Sequence, residues 1–240
     1  MRDTWTPRPV RVPASRMARL GRLGSMATGI AGGMALEGMR HLSRGTRPSY
    51  RGLLLTPGNM TRLANELAQM RGAAMKIGQL LSMDAGEFLP PELSDILSRL
   101  RADAHFMPPR QLKSVLNENW GTTWLRQFER FDTRPVAAAS IGQVHRVRRR
   151  DGEDLAVKVQ YPGVVDSIDS DVRNVGALLR MSGLLPAGLE LDPYLAEART
   201  LLRAEADYQA EARHLETFGA LLADDPDFLV PRLYPDWTTP

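Results

Sequence analysis

The 240-residue sequence has no cysteine, which excludes disulfides and thiolate metal sites and suits a reducing compartment. It also has no apolar run long enough to cross a bilayer. The stretch LGSMATGIAGGMAL, Leu23 to Leu36, is uncharged for fourteen residues, against the ~20 that a spanning helix needs. A large excess of charge of either sign is lacking too: 31 basic and 28 acidic side chains leave a net +3, so composition gives no sign of a nucleic-acid partner. Lysine is the scarcest charged residue, with Lys76, Lys113 and Lys158 against 28 arginines. A lysine kept against such a background stands out, because a compact ammonium does what a planar guanidinium does not. Hydrophobic residues make up 43%, enough for a substantial core in one large domain or two small ones.

One of those lysines lies in VAAASIGQVHRVRRRDGEDLAVKVQ, Val136 to Gln160. The pattern predicts a hairpin: Ile141 to Arg148 as one arm, Asp151-Gly152 in the turn, and Leu155 to Gln160 as the other. On the second arm Leu155, Val157 and Val159 share one face, while Ala156 and Lys158 share the other. A lysine beside a small residue on such a strand suits a phosphate contact below a site for a flat ring. A Gly-rich loop before a V-A-I-K strand has this layout in protein kinases, and this segment resembles it. Here the expected loop glycines are Ala137 and Ala139, and only Gly142 and then Val144 keep the pattern. Alanine largely forbids the positive φ that lets a loop backbone approach phosphates, so nucleotide should be held differently.

The alanine loop, SIGQVH after it, VKVQYPGV, AAMKIGQLLSMD at 73–84 and EADYQAEARHLETF at 205–218 together resemble the UbiB/AarF atypical kinase-like family over roughly residues 17 to 240. The resemblance implies an α+β fold in which a helical subdomain precedes the small lobe of a protein kinase-like fold. It implies a nucleotide site of Ala137, Ala138, Ala139, Ser140, Gly142, Val144, Ala156 and Lys158, with Lys158 paired to Glu211. It also implies a lid in which Lys76, Gly78 and Gln79 meet Glu205 and Asp207 above the pocket, where a protein substrate would otherwise sit. The activity implied is that of an ATPase or small-molecule kinase supporting ubiquinone biosynthesis, peripheral to membranes, here in the cytoplasm or at the inner membrane of a bacterium. ATP or ADP is the expected cofactor.

Local signals divide the rest of the chain. Residues 1–16, with three prolines and four arginines and no apolar period, read as a disordered basic arm. Residues 17–55 read as a Gly-rich amphipathic helix and linker. The acid-free run Leu23 to Leu36 and the arginines before it fit a targeting peptide, but the resemblance begins inside this segment, so close helix packing is expected, with an interfacial membrane contact as the alternative. The lid subdomain spans 56–130, where Thr56-Pro57 begins a helix whose apolar stripe is Leu63, Leu67, Met70, Ala74, Ile77 and Leu81. Lys76 and Gln79 lie beside that stripe, and Gly78 between them costs about 1 kcal/mol relative to alanine, so something must pack closely there. Helices follow from Pro91 to Leu100 and Pro109 to Asn119, then an aromatic core of Trp124, Leu125, Phe128 and Phe131.

The small lobe spans 131–240. Ile168 to Met181 reads as a helix, and Asp192-Pro193 opens one long helix to about Ala223. Glu205 falls within its apolar stripe and needs a counter-charge; Asp207 fits a solvated face paired with Arg199, Arg203 or Arg213. No catalytic-loop Asp with a following Asn is present, and the only Asp-Phe, Asp227-Phe228, is followed by Leu229 rather than Gly. Phosphoryl transfer uses those carboxylates to hold Mg²⁺, so no metal site is expected in this polypeptide and magnesium would be held only with a separately supplied C-terminal lobe. The expectation is a chain truncated before the hinge and inactive alone. The alternative is a non-catalytic scaffold at a membrane or among quinone-biosynthesis proteins.

Overall fold

The computed structural model describes residue 9 and residues 56–85, 90–102, 106–186 and 188–239. The expectations for the basic arm and the Gly-rich segment lie outside the described residues, except at Pro9, which forms a parallel β-bridge with Phe106.

Among the described residues four α-helices precede the sheet. Helix α1, Pro57–Gln69, begins where Thr56 accepts from the Asn59 amide and proline occupies the first turn. Met70 turns the chain into α2, Arg71–Ala85, so the expected single helix is two. The whole stripe from Leu63 to Leu81 is buried nonetheless. Helices α3, Pro91–Ala102, and α4, Pro109–Trp120, match the proline starts, and Gly121 closes α4 at φ 77.

The α+β class expected from the sequence is what the chain adopts, around one four-stranded antiparallel sheet. Its strands are β1 (Phe128–Phe131), β2 (Ala137–Ala138), β3 (Gly142–Arg149) and β4 (Asp154–Gln160). β3 is central. It pairs with β4 from Gly142↔Gln160 to Arg148↔Asp154, and with β2 and β1 through Ala137↔Val144 and Phe131↔Val147. Two expectations are corrected here. Residues 128–131 form a strand, not a continuation of the helical region, and Leu125 is 54% exposed, so the aromatic core is Trp124, Phe128 and the half-buried Phe131 without it.

After the sheet come α5, Val164–Ser182, ended by Gly183 at φ 62, then α6, Asp192–Ala206, and α7, Tyr208–Leu221. The long helix expected from Asp192 to Ala223 is thus broken at Asp207, whose φ of −85 and ψ of 85 leave the helical region. The carboxylate of Asp207 accepts from the Ala210 amide at 2.8 Å and so starts a new helix.

The two cores do not follow the order of the chain. The larger joins α1, α2 and α3 to α5 and α6, with Ile141 of the loop inserted among them. The smaller sits on one sheet face, where Val147 and Val159 pack with Leu112, Leu116, Trp124 and Phe128. Burying those two faces leaves the other side of β4, with Ala156 and Lys158, free to form a site.

Candidate functional site

Antiparallel register brings the expected residues to one face of the sheet. Val144 lies opposite Lys158 and also opposite Ala137, while Gly142 lies opposite Gln160. Directly opposed residues in an antiparallel pair point to the same side, so Ala137, Gly142, Val144, Ala156 and Lys158 share the face away from the smaller core. Ala138, opposite Gln143, points the other way. A cavity of ≈ 580 Å³ runs around β4, lined by Ala156, Lys158, Tyr208 and Glu211 among others.

Lys158 is fixed by α7. Its Nζ donates to both Glu211 carboxylate oxygens, at 2.7 and 2.6 Å. The ammonium also lies 4.8 Å from the centroid of the Tyr208 ring. Tyr208 and Glu211 are three apart on α7 and therefore share a helix face. The cap at Asp207 sets where that face points.

The alanine loop behaves as its chemistry requires. Among the described residues positive φ occurs only at Gly121, Gly152, Gly163, Gly183 and Gly188, none of them in the loop. Ala137 and Ala138 pair with β3, and the Ala139 amide donates to the Gly142 carbonyl, closing a tight turn through Ser140 and Ile141. Gly142 is a glycine for a packing reason. A Cβ there would lie 2.6 Å from the Val159 carbonyl oxygen and 2.8 Å from the Tyr208 hydroxyl.

A second cluster ties the loop to the helices. Lys76 of α2 pairs with Glu205 of α6 at 3.1 Å, with side chains 19% and 24% exposed. Ser140 donates its hydroxyl to the other Glu205 oxygen. The charge stranded in the apolar stripe thus has its counter-charge, on a lysine 129 positions earlier in the chain. Gly78 meets Leu97 of α3, whose methyl carbon would be 2.4 Å from an added Cβ. That is the close approach its helix position demanded.

Of the expected lid contacts the Lys76–Glu205 pair is formed, and among the described residues no ion pair joins Lys76 to Asp207. Gln79 is exposed on α2, and Asp207 is the exposed cap of α7. Nor do Arg199 and Arg203 serve Asp207; both pair with Asp169 of α5, at 3.1 and 2.7 Å. Sequence reasoning missed two participants. Ser140 was expected in the nucleotide site and not as a partner of Glu205, although a hydroxyl is what such a carboxylate accepts from. Tyr208 was not singled out, although its spacing of three from Glu211 puts it on the lysine's side of the helix.

Deeper in the sheet, Gln143 and His145 are wholly buried and form a chain of hydrogen bonds. The Met107 amide donates to Gln143 Oε1 at 2.8 Å, Gln143 Nε2 lies 2.8 Å from His145 Nε2, and His145 Nδ1 lies 2.7 Å from the Asp132 carbonyl. The amide donates toward Nε2, so the ring is neutral with its proton on Nδ1, facing the carbonyl. Burial lowers the His145 pKa below its ordinary 6.5, against the raising effect of Asp132.

Comparison with known proteins places this arrangement. Residues 99–240 match the ABC1 atypical kinase-like domain. The mitochondrial atypical kinase COQ8 of Saccharomyces cerevisiae is 47% identical over 228 residues, which is 95% of this chain and 46% of that protein. Its Schizosaccharomyces pombe counterpart is 45% identical over 96% of this chain and 38% of that protein. This chain therefore spans less than half the length of these curated relatives. A solved Mycobacterium tuberculosis structure, the complex of Rv3197 with erythromycin, is 33% identical over 72% of this chain and 45% of that one, with a TM-score of 0.41. The chain belongs to the ABC1 atypical kinase-like family, the UbiB/AarF kinases that its motifs resemble.

Proposed function

We propose that these residues form the nucleotide-binding side of an atypical kinase or ATPase that supports ubiquinone biosynthesis. The observation that carries the reading is the Lys158–Glu211 pair, which lines a cavity together with Ala156, while Val144 lies opposite Lys158 in the sheet. In this reading ATP or ADP lays its ring against the small side chains of β4 and the alanine loop. Lys158 donates to phosphate oxygens while Glu211 keeps the ammonium aimed at them. The Lys76–Glu205–Ser140 cluster ties the alanine loop to α2 and α6, and in this reading it holds the loop in place for the nucleotide.

Among the described residues no three His, Asp or Glu side chains are close enough together to hold a metal ion. In this reading the carboxylates that hold magnesium and complete turnover come from outside these residues. These 240 residues alone are inactive in this reading. Among the described residues no helix is long and apolar enough to cross a membrane, and the proposed placement is peripheral, at the inner membrane of a bacterium. A scaffold role is the second reading. It is favoured by the apolar end of α7, where Leu221 is 75% and Phe218 59% exposed.

Assay of ATP hydrolysis by the purified chain and by Lys158→Ala separates these parts. Equal, background rates are expected. Turnover above the variant would show that carboxylates within this chain complete the reaction, against the reading given.

A further inference from the structure

Lys158 is gripped from two sides by α7, and only one grip uses hydrogen bonds. An ammonium has three donors. Two are directed at the Glu211 oxygens, at 2.7 and 2.6 Å. The Tyr208 ring, 4.8 Å from the nitrogen, stabilises the same charge through its π face and consumes no N–H as a conventional donor. The remaining donor stays available to an incoming oxygen.

The phenol oxygen of Tyr208 does not have that function. It is buried and has no hydrogen-bond partner among the described residues. Burial, followed by the charges of Glu211 and Glu205, pushes its pKa well up, so it stays a neutral hydroxyl. It lies against the backbone of Gly142, where a side chain would collide with it. A buried hydroxyl left unpaired is a cost that phenylalanine would not carry. The ring is the useful part of this side chain.

We propose that Tyr208 is a positioning residue for Lys158. Its ring holds the ammonium beside Glu211 so that the third N–H faces the phosphate chain of a nucleoside di- or triphosphate. Gly142 is what allows the ring to seat. The link to nucleotide rests on the function proposed above; the link between the ring and the lysine does not.

With only three lysines, the chain suits a direct test. Protein carrying lysine labelled with ¹³C at Cε gives three methylene signals, with Lys158 assigned from Lys158→Arg. Ring current from Tyr208 should shift the Lys158 signal upfield of exposed Lys113. Tyr208→Phe should preserve that shift at equal or higher stability, and Tyr208→Leu should abolish it while the Lys76 signal reports an intact fold. Glu211→Gln, which leaves the ring in place, should keep most of the shift. This variant decides the matter should the leucine variant unfold, since a signal collapsing onto that of Lys113 in Glu211→Gln overturns the proposal. An unmoved signal in folded Tyr208→Leu overturns it as well.

Titration with ADP and with adenosine then separates the two claims. Tyr208→Leu should bind ADP roughly two- to five-fold more weakly, the factor an ordinary cation–π contact converts to, with adenosine unchanged. Equal ADP affinity despite a lost shift overturns the positioning role. A wild-type chain that shows the ring-current shift but binds neither compound overturns the nucleotide reading and leaves the contact established.

Discussion

Lys76 and Glu205 join segments far apart in the chain, and neither side chain is more than about a quarter exposed. A pair so placed is screened less than a surface one, and Glu205 would be a costly orphan without it. Stability of Lys76→Ala, Glu205→Ala and the double variant should show a coupling of roughly 0.5 kcal/mol or more; additive losses would contradict the pairing. His145 gives a pH dependence. Its folded pKa is below the unfolded 6.5, so the unfolded chain binds the proton more readily. Its contribution is therefore intact above about pH 6.5 and declines as pH falls through that value, by at most about 1.4 kcal/mol per pH unit. Urea midpoints between pH 5 and 8 should show this decline, and His145→Gln should lack it. The need of Glu205 for a partner was legible because the carboxylate interrupts an apolar stripe. The roles of Ser140 and Tyr208 were not, since a hydroxyl and a ring fit core or loop equally well until the third dimension is known.

At the level of elements, starts and stops were the readable part. Thr56-Pro57, Pro91 and Pro109 open helices, and Gly121 and Gly183 close them, because proline suits a first turn and glycine the left-handed end. The break at Asp207 was hidden because apolar residues continue at helical spacing across it; the capping carboxylate wins over that continuity. Asp207→Ala should cost about 1 kcal/mol and loosen the start of α7, read as faster amide exchange at Ala210. β1 was hidden by its length, four residues of which two are charged. Gly78 provides a test of packing against propensity. Gly78→Ala gains about 1 kcal/mol of helix propensity but drives a methyl into Leu97, an overpacking cost of roughly 1–3 kcal/mol. The net effect should be destabilising in the native chain and milder or reversed in a Leu97→Ala background. Equal effects in both backgrounds would mean that Leu97 is not what excludes a side chain.

At the scale of the molecule, helices from both ends of the described chain share one core while the sheet rests on another, leaving Lys158 on a face that opens into a cavity. That face was legible from the alternation of Leu155 to Val159, and the lysine from its rarity. How the helices close around the loop was not, because contacts between residues 76 and 205 leave no local pattern. The central claim is that Lys158 handles nucleotide phosphate, and calorimetric titration with ADP measures it most directly. The chain and its Lys158→Ala variant are titrated alone, then after fusion to the segment by which Saccharomyces cerevisiae COQ8 extends beyond the matched region. The account predicts weak binding by the chain alone, tighter binding by the fusion, and loss of ADP affinity but not adenosine affinity in both Lys158→Ala proteins. ADP bound equally well with and without the Lys158 amine would contradict it.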